Sequence, residues 1–130
     1  MNLLSVRERA LANLEIWEGQ HALFTVLRNY SHENMYKQPP FRGELDSVDA
    51  STAHRQQRLD ALPAPRNALD VSSRLGDTAD TKLPIYRPTT LATVLLDGGS
   101  NELSVWENAN PSKGPPTHVW NLSTFFRQSK

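Results

Sequence analysis

Four histidines, at positions 21, 32, 54 and 118, are the natural candidates for acid–base or metal chemistry in this chain. No two of them stand at a spacing that sets ligands on one helical face, and no H-E-x-x-H pattern occurs. His32-Glu33 is an adjacent pair without a third member. His21 falls on an apolar stripe, where a half-buried core histidine is the expected role. Acid–base catalysis would require His118 or His32 to sit in a pocket beside a carboxylate. A nucleophilic serine has no G-x-S-x-G setting. Gly98-Gly99 follows an apolar run, but no G-K-[ST] or helix follows it, so it reads as a hairpin turn rather than a phosphate cradle. Glu44, Asp46 and Asp49 lie in a stretch too polar to supply the apolar shell that raises a carboxyl pKa. The sequence therefore assigns no catalytic residue, metal or cofactor, and a small enzyme with histidine chemistry is the weakest of three readings.

Residues suited to binding are better represented. Pro39-Pro40-Phe41-Arg42 sets an aromatic ring and a guanidinium beside two prolines, and preformed polyproline geometry lowers the entropy lost on docking to a protein. The competing role for Phe41 is to pin a long loop to the domain's own core. Trp106 and Trp120 bracket thirteen mostly polar, Gly or Pro residues with Lys113 near their centre. A hairpin folded symmetrically about Lys113 would set Trp106 opposite Trp120. A one-residue slip would gather Leu103, Val105, Trp120, Leu122 and Phe126 on one face and turn Trp106 outward. Alternation favours the slip, which makes Trp120 the core residue and Trp106 the one offered to a partner. Trp106, Lys113, Pro39, Pro40, Phe41 and Arg42 are thus the candidate binding residues.

A single-stranded nucleic-acid binder would use Tyr86, Trp106, Trp120, Phe125 and Phe126 as stacking platforms beside Arg87, Lys113, Arg127 and Lys130. The same aromatics are the best core candidates, which makes this the second reading. Fourteen basic residues balance fourteen acidic ones, so the whole chain offers nucleic acid or an anionic membrane no general attraction. Ten of the basic residues are arginine, which suits interfaces. No cysteine is present, which excludes disulfides and thiolate chemistry and fits a cytoplasmic or other reducing intracellular compartment. The start "MNLLSVRERALANLEIW" lacks the layout of a signal peptide, and no apolar run approaches membrane-spanning length, so no membrane partner is expected. Two Asn-x-Ser sequons, at Asn29 and Asn121, are short enough to recur by chance.

The elements that must position these residues fall into three zones of one small domain, 1–130. Leu, Ile, Val and Phe make up only about 23% of the chain, just above the level where disorder is expected. Residues 1–30 carry apolar or aromatic side chains at Leu3, Ala10, Trp17 and Phe24, with Leu14 and Leu27 on the same side, behind a Ser5–Glu8 capping box. The spacing predicts an amphipathic helix with a weak point at Gly19, although "HALFTVLRNY" also suits a strand. Residues 31–82 form a polar, Pro-containing irregular segment. Within it a short helix is expected after Asp49 or Ser51, ended by Pro63, and another between Pro65 and Gly76; "GDTADTK" reads as a mobile loop. Residues 83–127 alternate as β-strands around the Asp97-Gly98-Gly99 turn, with "LPIYRP" as an added edge strand. The fold class expected is α+β, an N-terminal amphipathic helix packed on a C-terminal antiparallel sheet of three to four strands. The leading functional expectation is a non-catalytic interaction or assembly subunit, bound to another protein or to copies of itself.

Overall fold

The computed structural model of the chain describes residues 2–5, 8, 10–33, 35 and 49–124, apart from the side chain of residue 17. Two three-stranded antiparallel sheets and two helices follow one another in the order β1 (Asn2–Ser5), β2 (Ala10–Trp17), β3 (Gln20–Thr25), α1 (Ala50–Ala61), α2 (Ala68–Leu75), β4 (Ala92–Asp97), β5 (Glu102–Glu107) and β6 (His118–Asn121). Each sheet is a meander in chain order. The chain divides into two compact units, Met1–Ala61 and Leu62–Lys130.

The expected N-terminal helix is not formed, and β1 to β3 take its place. The physical reason lies at Glu18-Gly19. Their φ angles are 46° and 80°, the pair of positive values that a two-residue type I′ hairpin requires, and Trp17 pairs directly with Gln20 across it. Gly19 is therefore the turn itself and not a flaw in a helix. The seven-residue recurrence is split by the pleat: Leu3 and Ala10 share one face with Ala12, while Phe24 pairs with Asn13 on the other. The Ser5–Glu8 hydrogen bond does form, from the Glu8 amide to Ser5 Oγ at 3.3 Å, but it follows a strand instead of opening a helix.

The burial of this sheet is inverted in part, although Leu4, on the Asn13 face, is exposed as well. Asn13 and Glu15 are buried, whereas Leu3, Ile16 and Leu23, on the opposite face, are exposed. Asn13 Nδ2 donates to Asn2 Oδ1 at 2.9 Å across the β1–β2 pair, and His32 Nε2 stands 3.7 Å from the Glu15 carboxylate. His21, expected half-buried, lies on the exposed face with Ile16 and Leu23. Helix α1 begins with Asp49 accepting the Thr52 amide at 3.2 Å, as an N-cap should. Its Thr52, Gln56 and Leu59 are buried along one face. Gln56 binds residues 31–33 at both ends of its amide, accepting from the Glu33 N–H at 2.9 Å and donating to the Ser31 carbonyl at 3.4 Å. Arg55 adds an ion pair with Glu33. A polar bracket holds helix and segment together.

In the second unit, Asn67 caps α2 by accepting the Asp70 amide at 2.8 Å, and α2 packs on β4. Gly76 ends the helix, its N–H reaching the Ser72 carbonyl at 2.9 Å. Its φ of −89° suits any residue, so the demand for glycine there is one of space. A Cβ would stand 2.3 Å from Asn110 Oδ1 and 2.7 Å from the Ser112 amide nitrogen. Residues 76–82, expected as a mobile loop, are threaded by Asx turns, with Asp77 accepting from Ala79 and Asp80 from Lys82 and, just beyond, from Leu83. "LPIYRP" is not a strand, and the sheet here has three strands, β4 to β6. Its prolines at 84 and 88 leave too few successive donors for a ladder. Asp97 starts the β4–β5 turn by accepting the Gly99 amide at 2.8 Å.

Candidate functional site

Strand β6 is only four residues, "HVWN", and its alternation puts His118 and Trp120 on one face. The register sets Trp120 opposite Leu103 and His118 opposite Val105, and these in turn pair with Leu96 and Val94 on β4. The imidazole and indole stack, with centroids 5.4 Å apart and planes 24° from parallel. At the next same-face position of β5, the Glu107 carboxylate lies 3.6 Å from His118 Nε2, both side chains about half exposed. The result is an open, mostly apolar face with an aromatic platform and one acid. Trp120 is 40% and Val94 55% exposed, so this face is accessible. The charged side chains of β4 to β6 are Asp97, Glu102 and Glu107, and none of the three strands carries lysine or arginine.

The expected roles of the two tryptophans are exchanged. Trp106 is 5% exposed, whereas Trp120 is open to solvent. The register is neither of the two expected, because Leu103 and not Trp106 or Val105 faces Trp120. The grouping of Leu103, Val105 and Trp120 on one face holds, but that face is the exposed one. The cause is the loop. Its Gly114 carbonyl accepts the Trp106 indole N–H at 2.9 Å, giving a buried donor the partner it needs. The loop is tied in place by Asn110 Nδ2 donating to the Gly76 carbonyl at 2.9 Å. The connection between the tryptophans is thus the cover of a core residue. Lys113 is exposed on that loop. Pro39, Pro40, Phe41 and Arg42, like Phe125 and Phe126, lie outside the described residues.

Two other places have chemistry to weigh. His32 stands beside Glu15 and His118 beside Glu107, which meets the carboxylate half of the requirement for acid–base work. A groove of about 620 Å³ beside α2 is lined by neither pair. Its two arginines are engaged within their own unit, Arg66 with Asp70 at 3.4 Å and Arg74 with the carbonyls of Leu62 and Pro63. The Arg66 backbone N–H, ahead of its guanidinium, holds the Asp70 carboxyl below its ordinary value. Charge in the groove is thus locally compensated. Among the described residues no group of three or more His, Asp or Glu is placed to hold a metal ion. No helix among them is long and apolar enough to cross a membrane.

Sequence reasoning missed His118 as the stacking neighbour of Trp120 and Glu107 as the carboxylate beside His118. The signal was the His-x-Trp spacing, which puts two rings on one face of any strand. Glu107 needed the register as well. No protein-family model matches the chain, and comparisons with curated proteins and with solved structures find no significant match.

Proposed function

We propose that the chain is a non-catalytic interaction and assembly subunit that associates with copies of itself. The observation that carries this reading is the inverted burial of the β1–β3 sheet, in which a carboxylate and an amide are inside and Leu3, Ile16 and Leu23 are outside. Apolar surface left in water forgoes about 25 cal/mol per Å² of stabilisation, and a contiguous apolar face is the usual mark of an interaction site. The positions of this face, from Leu3 and Ser5 through Ala10, Ala12, Leu14 and Ile16 to His21, Leu23 and Thr25, include no aspartate, glutamate, lysine or arginine. Two copies can therefore meet through it without bringing like charges together, as an isologous contact requires. A chain without cysteine asks nothing of an oxidising environment, and a reducing compartment belongs to the same proposal.

Sedimentation velocity on the whole chain, over a hundredfold range of concentration, tests it. The expected result is a concentration-dependent dimer or larger species that Leu23→Lys or Ile16→Glu returns to monomer. A wild-type chain that stays monomeric throughout the range overturns the proposal.

A further inference from the structure

We propose that the outward face of β4 to β6 is a docking site for an extended protein segment in which proline is followed, two to four residues on, by arginine. This deepens the interaction reading by giving the second sheet a partner of different chemistry from the first. The platform comes first in the argument. Trp120 and His118 stack on one another, and Val94 and Val105 continue the apolar face across the sheet. An indole face at a strand edge packs well against a pyrrolidine ring. A proline-bearing segment is already extended, so little conformational freedom is lost when it docks.

Charge then selects the partner. Glu107 is the acid on this face, half exposed and 3.6 Å from His118, while Asp97 and Glu102 occupy positions of the opposite face. With no lysine or arginine on any of the three strands, the sheet offers a phosphate backbone no lysine or arginine contact. A cation is the complementary group. Arginine fits better than lysine, because a planar guanidinium can lie over an aromatic ring and still bind a carboxylate through paired N–H groups.

Geometry sets the spacing. Trp120 lies opposite Leu103, and Glu107 lies four residues farther along β5, about 13 Å at the usual strand rise. His118, which Glu107 approaches, is two residues from Trp120, or about 7 Å. At about 3.1 Å per residue, an extended proline-rich segment spans that interval in two to four residues. Residues 37–43 of this chain, "KQPPFRG", contain a proline and an arginine within that range and supply a ready probe.

The test is a titration of the whole chain, followed by tryptophan fluorescence, with a pooled Pro-Pro-x-Arg peptide library, the 37–43 peptide, the matched Pro-Pro-x-Glu library and oligothymidylate. The expected result is saturable binding of the arginine library, at least tenfold tighter than the glutamate library. Trp120→Ala and Glu107→Gln should each weaken it tenfold or more, with circular dichroism confirming the fold. Glu107→Lys should reverse the preference toward the glutamate library, an outcome that loss of folding cannot produce. Equal binding of both libraries, binding that survives these substitutions, or no binding of any peptide overturns the proposal. Oligothymidylate binding that depends on Trp120 also overturns it and assigns the face to nucleic acid. Peptide binding and sedimentation are separate readouts, so failure here leaves self-association through β1–β3 standing, and the reverse.

Discussion

Both sheets are three-stranded antiparallel meanders, yet what they bury differs: an amide and a carboxylate in the first, an indole beside the Ser104 hydroxyl in the second. The β1–β3 sheet keeps Asn13 and Glu15 inside and shows Leu3, Ile16 and Leu23 to solvent. The β4–β6 sheet keeps Trp106 inside and shows an aromatic pair edged by a carboxylate. The same topology therefore presents two surfaces of different chemistry, one without charged side chains and one with a carboxylate beside an aromatic pair. The two units also differ in what holds them: a polar bracket around Gln56 in the first and a capped indole in the second.

The largest test of that contrast is to exchange the tryptophans' fates. Trp106→Ala removes a buried ring and its bond to Gly114, and is expected to destabilise the second unit by about 3–5 kcal/mol. Trp120→Ala should cost under about 1 kcal/mol, as exposed positions do. Denaturant titrations of both variants, followed by circular dichroism, check the pair. Similar losses would mean that Trp120 is as much a core residue as Trp106.

Gly76→Ala follows, with an expected cost of about 3 kcal/mol, because the new methyl meets main chain at residue 112 as well as the Asn110 side chain. Hydrogen exchange should show the loss concentrated in α2 and the 108–117 loop. In the first unit, Gln56→Leu keeps the volume but removes both bonds to residues 31–33, for a loss of about 2 kcal/mol. If Gln56→Leu is neutral, the polar bracket is dispensable and the units do not differ as described.

Gly19→Ala compares the two hairpins. At a φ of +80° an added Cβ is strained, and a cost of about 1–2 kcal/mol is expected. Gly98→Ala meets nothing within 4 Å and should change stability by less than about 0.5 kcal/mol. Thermal melts of the two variants side by side give the comparison.

What was legible in the sequence follows the same division. The caps at Asp49 and Gly76 and the turn at Asp97-Gly98-Gly99 rest on local chemistry, and local chemistry can be read from neighbours. The N-terminal meander was misread because Leu3, Ala10 and Phe24 keep a helical interval while the turn at Glu18-Gly19 decides the outcome. Strand alternation would also have misled, since it sends Leu14 and Ile16 inward and Asn13 and Glu15 outward. Their burial depends on Asn2 and His32, which approach only in the folded chain. The exchange of Trp106 and Trp120 has the same origin, for the Gly114 carbonyl that caps the indole is eight residues away in sequence.

The smallest expected effect is electrostatic and sets the β4–β5 turn apart from its N-terminal counterpart. The Glu18-Gly19 turn is held by backbone conformation, whereas Asp97 holds its turn through its carboxylate. The Gly99 N–H, and after it the Ser100 hydroxyl, favour the charged form and lower the Asp97 pKa below its ordinary value. A carboxyl whose pKa is lower folded than unfolded adds stability that is present above the unfolded value of about 3.9 and is lost as pH falls through the folded one. Asp97→Asn keeps an oxygen acceptor for Gly99 but removes the charge. It should therefore be slightly less stable than wild type at pH 7, with the gap closing below about pH 3.9 as the wild-type carboxyl protonates. Asp97 is partly exposed, so screening keeps the gap small and added salt should narrow it further. Paired thermal melts from pH 7 to pH 2 measure it. A gap that persists at pH 2 would show that the amide strains the turn, and that the carboxylate's charge is not what distinguishes this hairpin from the first.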